Sequence, residues 1–276
     1  MLMTERCSLS CVETKFLLRP DEVRPFFEGI DGFLSEPSVR RDEWRIVTVY
    51  LDRPDGFLAR SALACPELHV ELRLREFFTP DGAPISPFIW VESKVQDRTL
   101  SSVNRFQLHR TLVPRFLRGD LEEDEIVGCQ ERHVESDRVV RAARAVREAA
   151  GVRRFRPTGA VSYVRSTFEG GSPLARLTLD QDISYHLDPT ALEGADASLA
   201  QSRLGPAALK ETACVVEVKH RRSRPPDWSH GRSDPPGPVE YSKFVTLSAL
   251  AQSERQLQSR REQNRPSILF RGTGTK

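Results

Sequence analysis

The chain has 276 residues, enough to bury a large core as one big domain or two small ones. It is 38% hydrophobic and 29% charged, yet its net charge is only +2, so no global basic field recruits nucleic acid or a membrane surface, and any anion site must come from local clustering. Five scattered cysteines, odd in number and without CxxC pairs, exclude a disulfide framework or a zinc ribbon and fit a reducing, cytoplasmic setting.

In chain order, MLMTERCSLS holds no long apolar run, and no later segment is long enough to span a bilayer. Work at a membrane would therefore need a membrane-protein partner. The spacing predicts a first strand from Val12 to Leu18, then a helix from Pro20 to about Gly29 with proline in its first turn. Strands follow at Arg45 to Asp52, Glu67 to Phe78, Pro87 to Val95, Gly159 to Phe168, Ala175 to Tyr185 and Ala213 to His220. Helices are expected at Arg105 to Arg118, Asp137 to Ala150, Pro189 to Ala200 and Ser242 to about Arg261. Ser223 to Pro238, rich in Pro, Ser and Gly, reads as a loop, and residues 262–276 as a disordered tail. The sum is one α+β domain, 1–276 with its core at about 12–250, built round a large antiparallel sheet.

Residues two apart share a face of a strand. On that rule Glu13 pairs with Lys15, Glu71 with Arg73 and Arg75, and Glu92 with Lys94. Tyr163 likewise pairs with Arg165, Arg176 with Thr178, Asp180 and Asp182, and Glu217 with Lys219. Lysine is rare here, six of 41 basic residues, and four of the six, Lys15, Lys94, Lys219 and Lys243, sit in short strand-like segments beside other charges. A sheet with one face in water would explain ordinary alternation, but predicts varied Thr, Ser and Gln. The repeated mixture of Arg or Lys with Glu suits a closed barrel whose polar face points inward and whose apolar outside is covered by helices. Such a wall repels itself unless a polyanion fills it, and arginine forks match phosphate oxygens in pairs.

The ordered segments E-x-K-F, Y-L-D, R-L-R, E-x-K, Y-x-R, R-L-T-L-D-x-D, E-V-K and S-K-F resemble the VTC (vacuolar transporter chaperone) domain, over roughly Val12 to Leu250. That domain is the polyphosphate polymerase branch of the triphosphate tunnel metalloenzymes. The resemblance implies a closed antiparallel β-barrel tunnel of about eight strands, with ATP or triphosphate and polyphosphate as partners and Mn²⁺ or Mg²⁺ as cofactor. Carried over by motif, Arg73, Arg75, Lys94 and Arg165 would serve catalysis. Lys15, Tyr163, Arg176, Lys219, Ser242 and Lys243 would bind phosphates. Glu217 would be the main metal ligand, with Glu13, Glu92, Asp180 and Asp182 as weaker candidates. The hydrolase branch opens with Glu-x-Glu-x-Lys; here Cys11 replaces the first glutamate, which favours the polymerase over a triphosphatase, and the presence of both Glu217 and Lys243 favours it over a non-catalytic polyphosphate binder. The six histidines show no ligand spacing, and no Ser/His/Asp or Cys/His arrangement stands out.

Overall fold

The computed structural model describes residues 11–29, 40–98, 100–130, 136–151, 154–169, 175–188, 198–221 and 236–263. Nine strands form one antiparallel sheet: β1 (Cys11–Leu18), β2 (Arg40–Asp52), β3 (Leu68–Phe78), β4 (Phe88–Asp97), β5 (Leu100–His109), β6 (Arg156–Glu169), β7 (Ala175–His186), β8 (Leu209–Lys210) and β9 (Cys214–Arg221). Neighbours run β6-β2-β3-β4-β5-β1-β9-β7, and β6 also pairs with β7, so eight strands close into a ring while the short β8 hangs on β7. The thinnest seam is β1–β5, where the register holds one pair, Val12 with Leu100.

Alternation divides the wall into two faces. Val49, Leu72, Leu74, Val91, Phe106 and Leu108 point outward into the main core. Helix α5 (Ser136–Ala150) covers part of that core with Val139, Ala142, Ala143 and Val146 at i, i+3, i+4 and i+7. A smaller core joins Phe16, Leu177, Val216 and Val218 on the outside of β1, β7 and β9, roofed by α1 (Pro20–Gly29) through Phe26, whose ring lies 5.0 Å from Phe16. These helices therefore pack outside the ring, as the sequence predicts. Among the described residues no helix is long and apolar enough to cross a membrane.

The expected helix from Arg105 to Arg118 is corrected. Leu100–His109 is β5, Arg110–Leu112 is a 3₁₀ turn, and only Val113–Arg118 is helical, as α3. Phe106, Val113 and Phe116 mimic helical spacing, but Phe106 and Leu108 bury together on one side of a strand while Arg105 stands opposite Glu92 on the other. Two helices went unforeseen: α2 (Phe57–Ala64) and α4 (Glu123–Gly128). The N-terminus of α2 is capped from a distance. Buried Asp52, at the end of β2, accepts the backbone N–H groups of Leu58 at 2.9 Å and Ala59 at 3.0 Å. The expected helix at Pro189 to Ala200 lies outside the described residues except for Ser198–Ala200, which are not helical. Most of the Ser223 to Pro238 loop, and the tail beyond Gln263, also lie outside them.

Helix α6 (Lys243–Gln263) matters most for the interior. Its first turn reaches the inner face, where fully buried Phe244 sits 5.1 Å from the Tyr50 ring and 6.1 Å from His69. Gly159 on β6 lets it approach, because a Cβ there would lie 2.9 Å from both Leu247 Cδ1 and the His186 carbonyl.

Candidate active site within the ring

Antiparallel register sets charges on adjacent strands face to face. Glu13 stands opposite Lys219 and Lys15 opposite Glu217 across β1–β9. Across β3–β4, Glu71 meets Lys94 and Arg73 meets Glu92, which also meets Arg105 on β5. Arg165 meets Asp180 across β6–β7. One match is between like charges, Arg176 on β7 opposite Lys219 on β9. That arrangement opposes folding unless an anion compensates it.

These side chains enclose a narrow cavity of about 80 Å³, lined by eight Lys and Arg residues against four glutamates. Asp180 adds a fifth carboxylate, 1% exposed. Three knots hold the network. In the first, Glu13 accepts from Lys94 at 3.1 Å and Ser101 at 3.0 Å and pairs with Lys15 at 2.9 Å, while Lys219 lies 3.3 Å from Glu217. In the second, Arg73 donates Nε to Glu92 at 2.7 Å and Nη1 to Glu71 at 3.0 Å. The other Glu71 oxygen is held by His69 at 3.2 Å and by the Ser242 hydroxyl at 3.1 Å. In the third, Arg165 grips Asp180 with two bonds of 2.6 and 2.7 Å, and Lys243 reaches the same carboxylate at 2.6 Å while lying 4.7 Å over the Tyr163 ring.

The electrostatics follow from that packing. Burial raises the proton affinity of every carboxylate here, and the surrounding cations outweigh it. Glu92 is brought down to about 2 by Arg75, Arg73 and Arg105. Glu217 falls well below the ordinary range, against burial, through Lys219, Lys15 and Arg165. Burial and the neighbouring Glu217 push Glu13 up, but Lys94, Lys15 and Lys219 prevail. Lys94 moves the other way, lowered by burial despite Glu13. The acids are thus anions at neutral pH, and most of the cations are held by them. The buried Nε of Arg75 meets no partner, and its Nη1 lies 3.5 Å from Glu92. Buried Thr178 Oγ1 is likewise without a partner in the same wall. Polar atoms left in that state point to a polar ligand.

Of the residues proposed from sequence, Lys15, Arg73, Arg75, Lys94, Tyr163, Arg165, Arg176, Lys219, Ser242, Lys243, Glu217, Glu13 and Glu92 all line this cavity, and Asp180 backs it. Asp182 does not share it. A bulge in β7 opposite Ser162 and Val164 turns Asp182 out to solvent at φ 53, which removes it from the metal candidates. Sequence reasoning missed His69, Tyr50, Arg105 and Tyr241. His69 shares the face of Glu71 by the two-residue rule, and Tyr241 adjoins Ser242, accepting from Lys15 Nζ through its carbonyl at 2.7 Å. Arg105 was hidden by the helix assigned to its segment.

Among the described residues no three His, Cys, Asp or Glu side chains converge as a ready-made metal cage. Mg²⁺ and Mn²⁺ need only one or two carboxylates when phosphates supply the remaining oxygens. Glu217, with Glu13 diagonally across from it, fits that requirement.

No protein of curated function matches the sequence. Among solved structures, the chain is similar to a putative adenylyl cyclase from Hippeastrum described as having a dominant triphosphatase activity, at 14% identity and TM-score 0.43, over 77% of this chain and 80% of that one. It is also similar to a putative adenylate cyclase from Bacillus halodurans, at 13% identity and TM-score 0.39, over 91% and 90%. Scores this low are too loose to carry over an activity. The VTC domain model, by contrast, matches residues 10–251. With that much of its length covered by one family model, the chain belongs to the VTC-domain family.

Proposed function

We propose that this chain is a metal-dependent polyphosphate polymerase that moves the γ-phosphate of ATP onto the end of an inorganic polyphosphate chain inside the ring. The supporting observation is the wall itself: eight cationic side chains against four glutamates, facing inward from separate strands of a closed ring. In the proposed step a terminal phosphate oxygen of the growing chain bonds to the γ-phosphorus. The bond from that phosphorus to the β–γ bridging oxygen breaks, and its electron pair leaves on ADP. The nucleophile is already anionic, so no general base is needed, and positioning and charge neutralisation do most of the work.

Each residue has a part in that reading. Arg73, fixed by Glu71 and Glu92, gives a rigid guanidinium, while Arg75 with its free Nε and Arg165 offset charge on the transferring group. Lys94 and Lys15 from one side, and Lys243, Arg176 and Lys219 from the others, hold the flanking phosphates. Tyr163 and Ser242 offer hydroxyls. Mn²⁺ or Mg²⁺ held by Glu217, with Glu13 beside it, would neutralise charge on the departing phosphates. Cys65, Cys129 and Cys214 are free thiols, which fits a reducing cytoplasm.

The test is incubation with ATP and Mn²⁺ followed by gel electrophoresis. Long polymer with ADP is the expected product. Free phosphate without polymer would assign hydrolysis instead, and binding with no turnover would leave a polyphosphate-binding module; either overturns the proposal.

A further inference from the structure

Arginines also gather outside the ring. Helices α2 and α6 pack on each other, and beside the start of β6 they leave a cleft of about 420 Å³. Arg60, Arg156, Arg255 and Arg260 line it, all exposed, from three different elements. Asp55 is the one acid in its lining, and its carboxylate is engaged by Arg53 at 3.1 Å and by the Phe57 N–H at 3.2 Å. Arg60 and Arg255 donate to backbone carbonyls, those of Asp55 and Ala251. Among the described residues none of the four has a carboxylate partner. Some exposed arginines elsewhere do find one, as in Arg24–Glu28, Arg118–Asp120 and Arg144–Glu123, while Arg98, Arg138 and Arg141 are exposed but do not converge on this cleft.

A solvated helix end accounts for Arg260, which complements the dipole in the last turn of α6. It does not account for Arg60 on α2 or Arg156 on β6. Gly56 supplies a second observation. Its φ of 72 calls for glycine, and a Cβ there would sit 3.2 Å from Arg156 Nη2 and 3.4 Å from Arg60 Nη1, so guanidinium groups from two different elements approach the same spot.

We infer that this cleft is a second oligophosphate site, outside the ring. Guanidinium forks pair with phosphate oxygens two at a time, and four of them without carboxylates favour a ligand of several phosphates over a single carboxylate. Preferring oligophosphate to other polyanions rests on the reading proposed for the lumen. Helix α6 links the two places: it starts at Lys243 in the inner cavity, and Gln252 to Arg260 follow about 14 to 26 Å along its axis. A chain passing the first turn of α6 would meet these arginines next, and the cleft would hold it against loss.

Calorimetric titration with tripolyphosphate at low salt tests this on three proteins: the wild type, Arg156→Ala/Arg255→Ala, and Arg75→Ala. The wild type should show two classes of site. The cleft variant should lose one, weakened roughly tenfold or more for each arginine removed. Arg75→Ala should keep the outer site and weaken the inner one. Unchanged stoichiometry and affinity in the cleft variant overturns the inference. Loss of the outer site in that variant, with no inner binding in the wild type, keeps the cleft and defeats the lumen reading. Single-stranded DNA of equal charge is the control: binding as tight as tripolyphosphate, abolished by the same variant, makes the cleft a general polyanion surface and overturns the assignment.

Discussion

Lys243 Nζ lies 2.6 Å from Asp180 Oδ2, so the first residue of α6 is latched to the inner wall of β7. Arg165 already holds that carboxylate with two bonds, which makes the pair asymmetric. Lys243→Ala removes one cation and leaves Asp180 compensated. Asp180→Ala strands two buried cations. Lys243→Ala should therefore keep a near-wild-type melting temperature and lose roughly 10²-fold in polymer synthesis. Asp180→Ala should cost about 3–5 kcal/mol of stability. Thermal melts beside a polymer gel separate the two; equal destabilisation would show that Lys243 is structural.

Arg73 and Arg75 lie two apart on one face of β3, yet they differ in restraint. Arg73 binds both Glu71 and Glu92, and its removal leaves two buried carboxylates short of a partner. Arg75 leaves its Nε unpartnered and meets Glu92 only at 3.5 Å, and Glu92 keeps Arg73 and Arg105 when Arg75 is removed. Arg75→Ala should abolish synthesis in a protein that still folds, losing about 1–3 kcal/mol, whereas Arg73→Ala should lose about 3–5 kcal/mol. Normal polymer yield from folded Arg75→Ala would exclude its role in charge neutralisation.

The inner wall was legible because a strand has a strict period of two, and the same acid–base alternation recurs from strand to strand. Glu13 with Lys15 and Glu217 with Lys219 needed nothing beyond counting, and the closed ring puts both pairs in one cavity. What the sequence hid depends on contacts between distant segments. Asp52 caps α2 from the end of β2, and no local pattern at Gly56 announces that helix. Asp182 matches the stripe of Arg176 and Asp180 in sequence. A single bulge, set by how β6 and β7 pair, reverses its direction. β5 was lost because its apolar residues run on into α3, blending two periods.

The lowered carboxylates make stability depend on pH with a definite sign. Glu92 has its proton affinity brought from an ordinary 4.5 to about 2 in the fold. Its contribution is fully present above pH 4.5 and is lost as pH falls from there through about 2, an effect of about 3 kcal/mol. Glu13, Glu71, Glu217 and Asp180 are shifted in the same direction and steepen the fall. Urea midpoints measured from pH 2 to 7 should drop steeply below 4.5 in the wild type. Glu92→Gln should show a shallower acid slope and a lower plateau at neutral pH. Superimposable slopes would mean that Glu92 is not held as an anion by its three arginines.

Glu217 connects the wall to the proposed metal. Four cations keep it ionised, Lys219, Lys15, Arg165 and Lys94, and a hard divalent ion would compete with them for its oxygens. The competition becomes favourable once phosphates enter, because they draw the lysines and arginines to themselves and free the carboxylate. Metal and oligophosphate should therefore bind together. With tripolyphosphate present, Mn²⁺ should bind tightly to the wild type; without it, binding should be at least about tenfold weaker, since no three ligating side chains of the described residues converge unaided. Glu217→Gln keeps the shape and removes the charge, so it should raise the Mn²⁺ needed for half-maximal ATP turnover by about tenfold or more. The melting temperature of the metal-free variant controls for folding. A metal requirement unchanged in folded Glu217→Gln would transfer the ligand role to Glu13 and leave Glu217 as a counter-ion of Lys219.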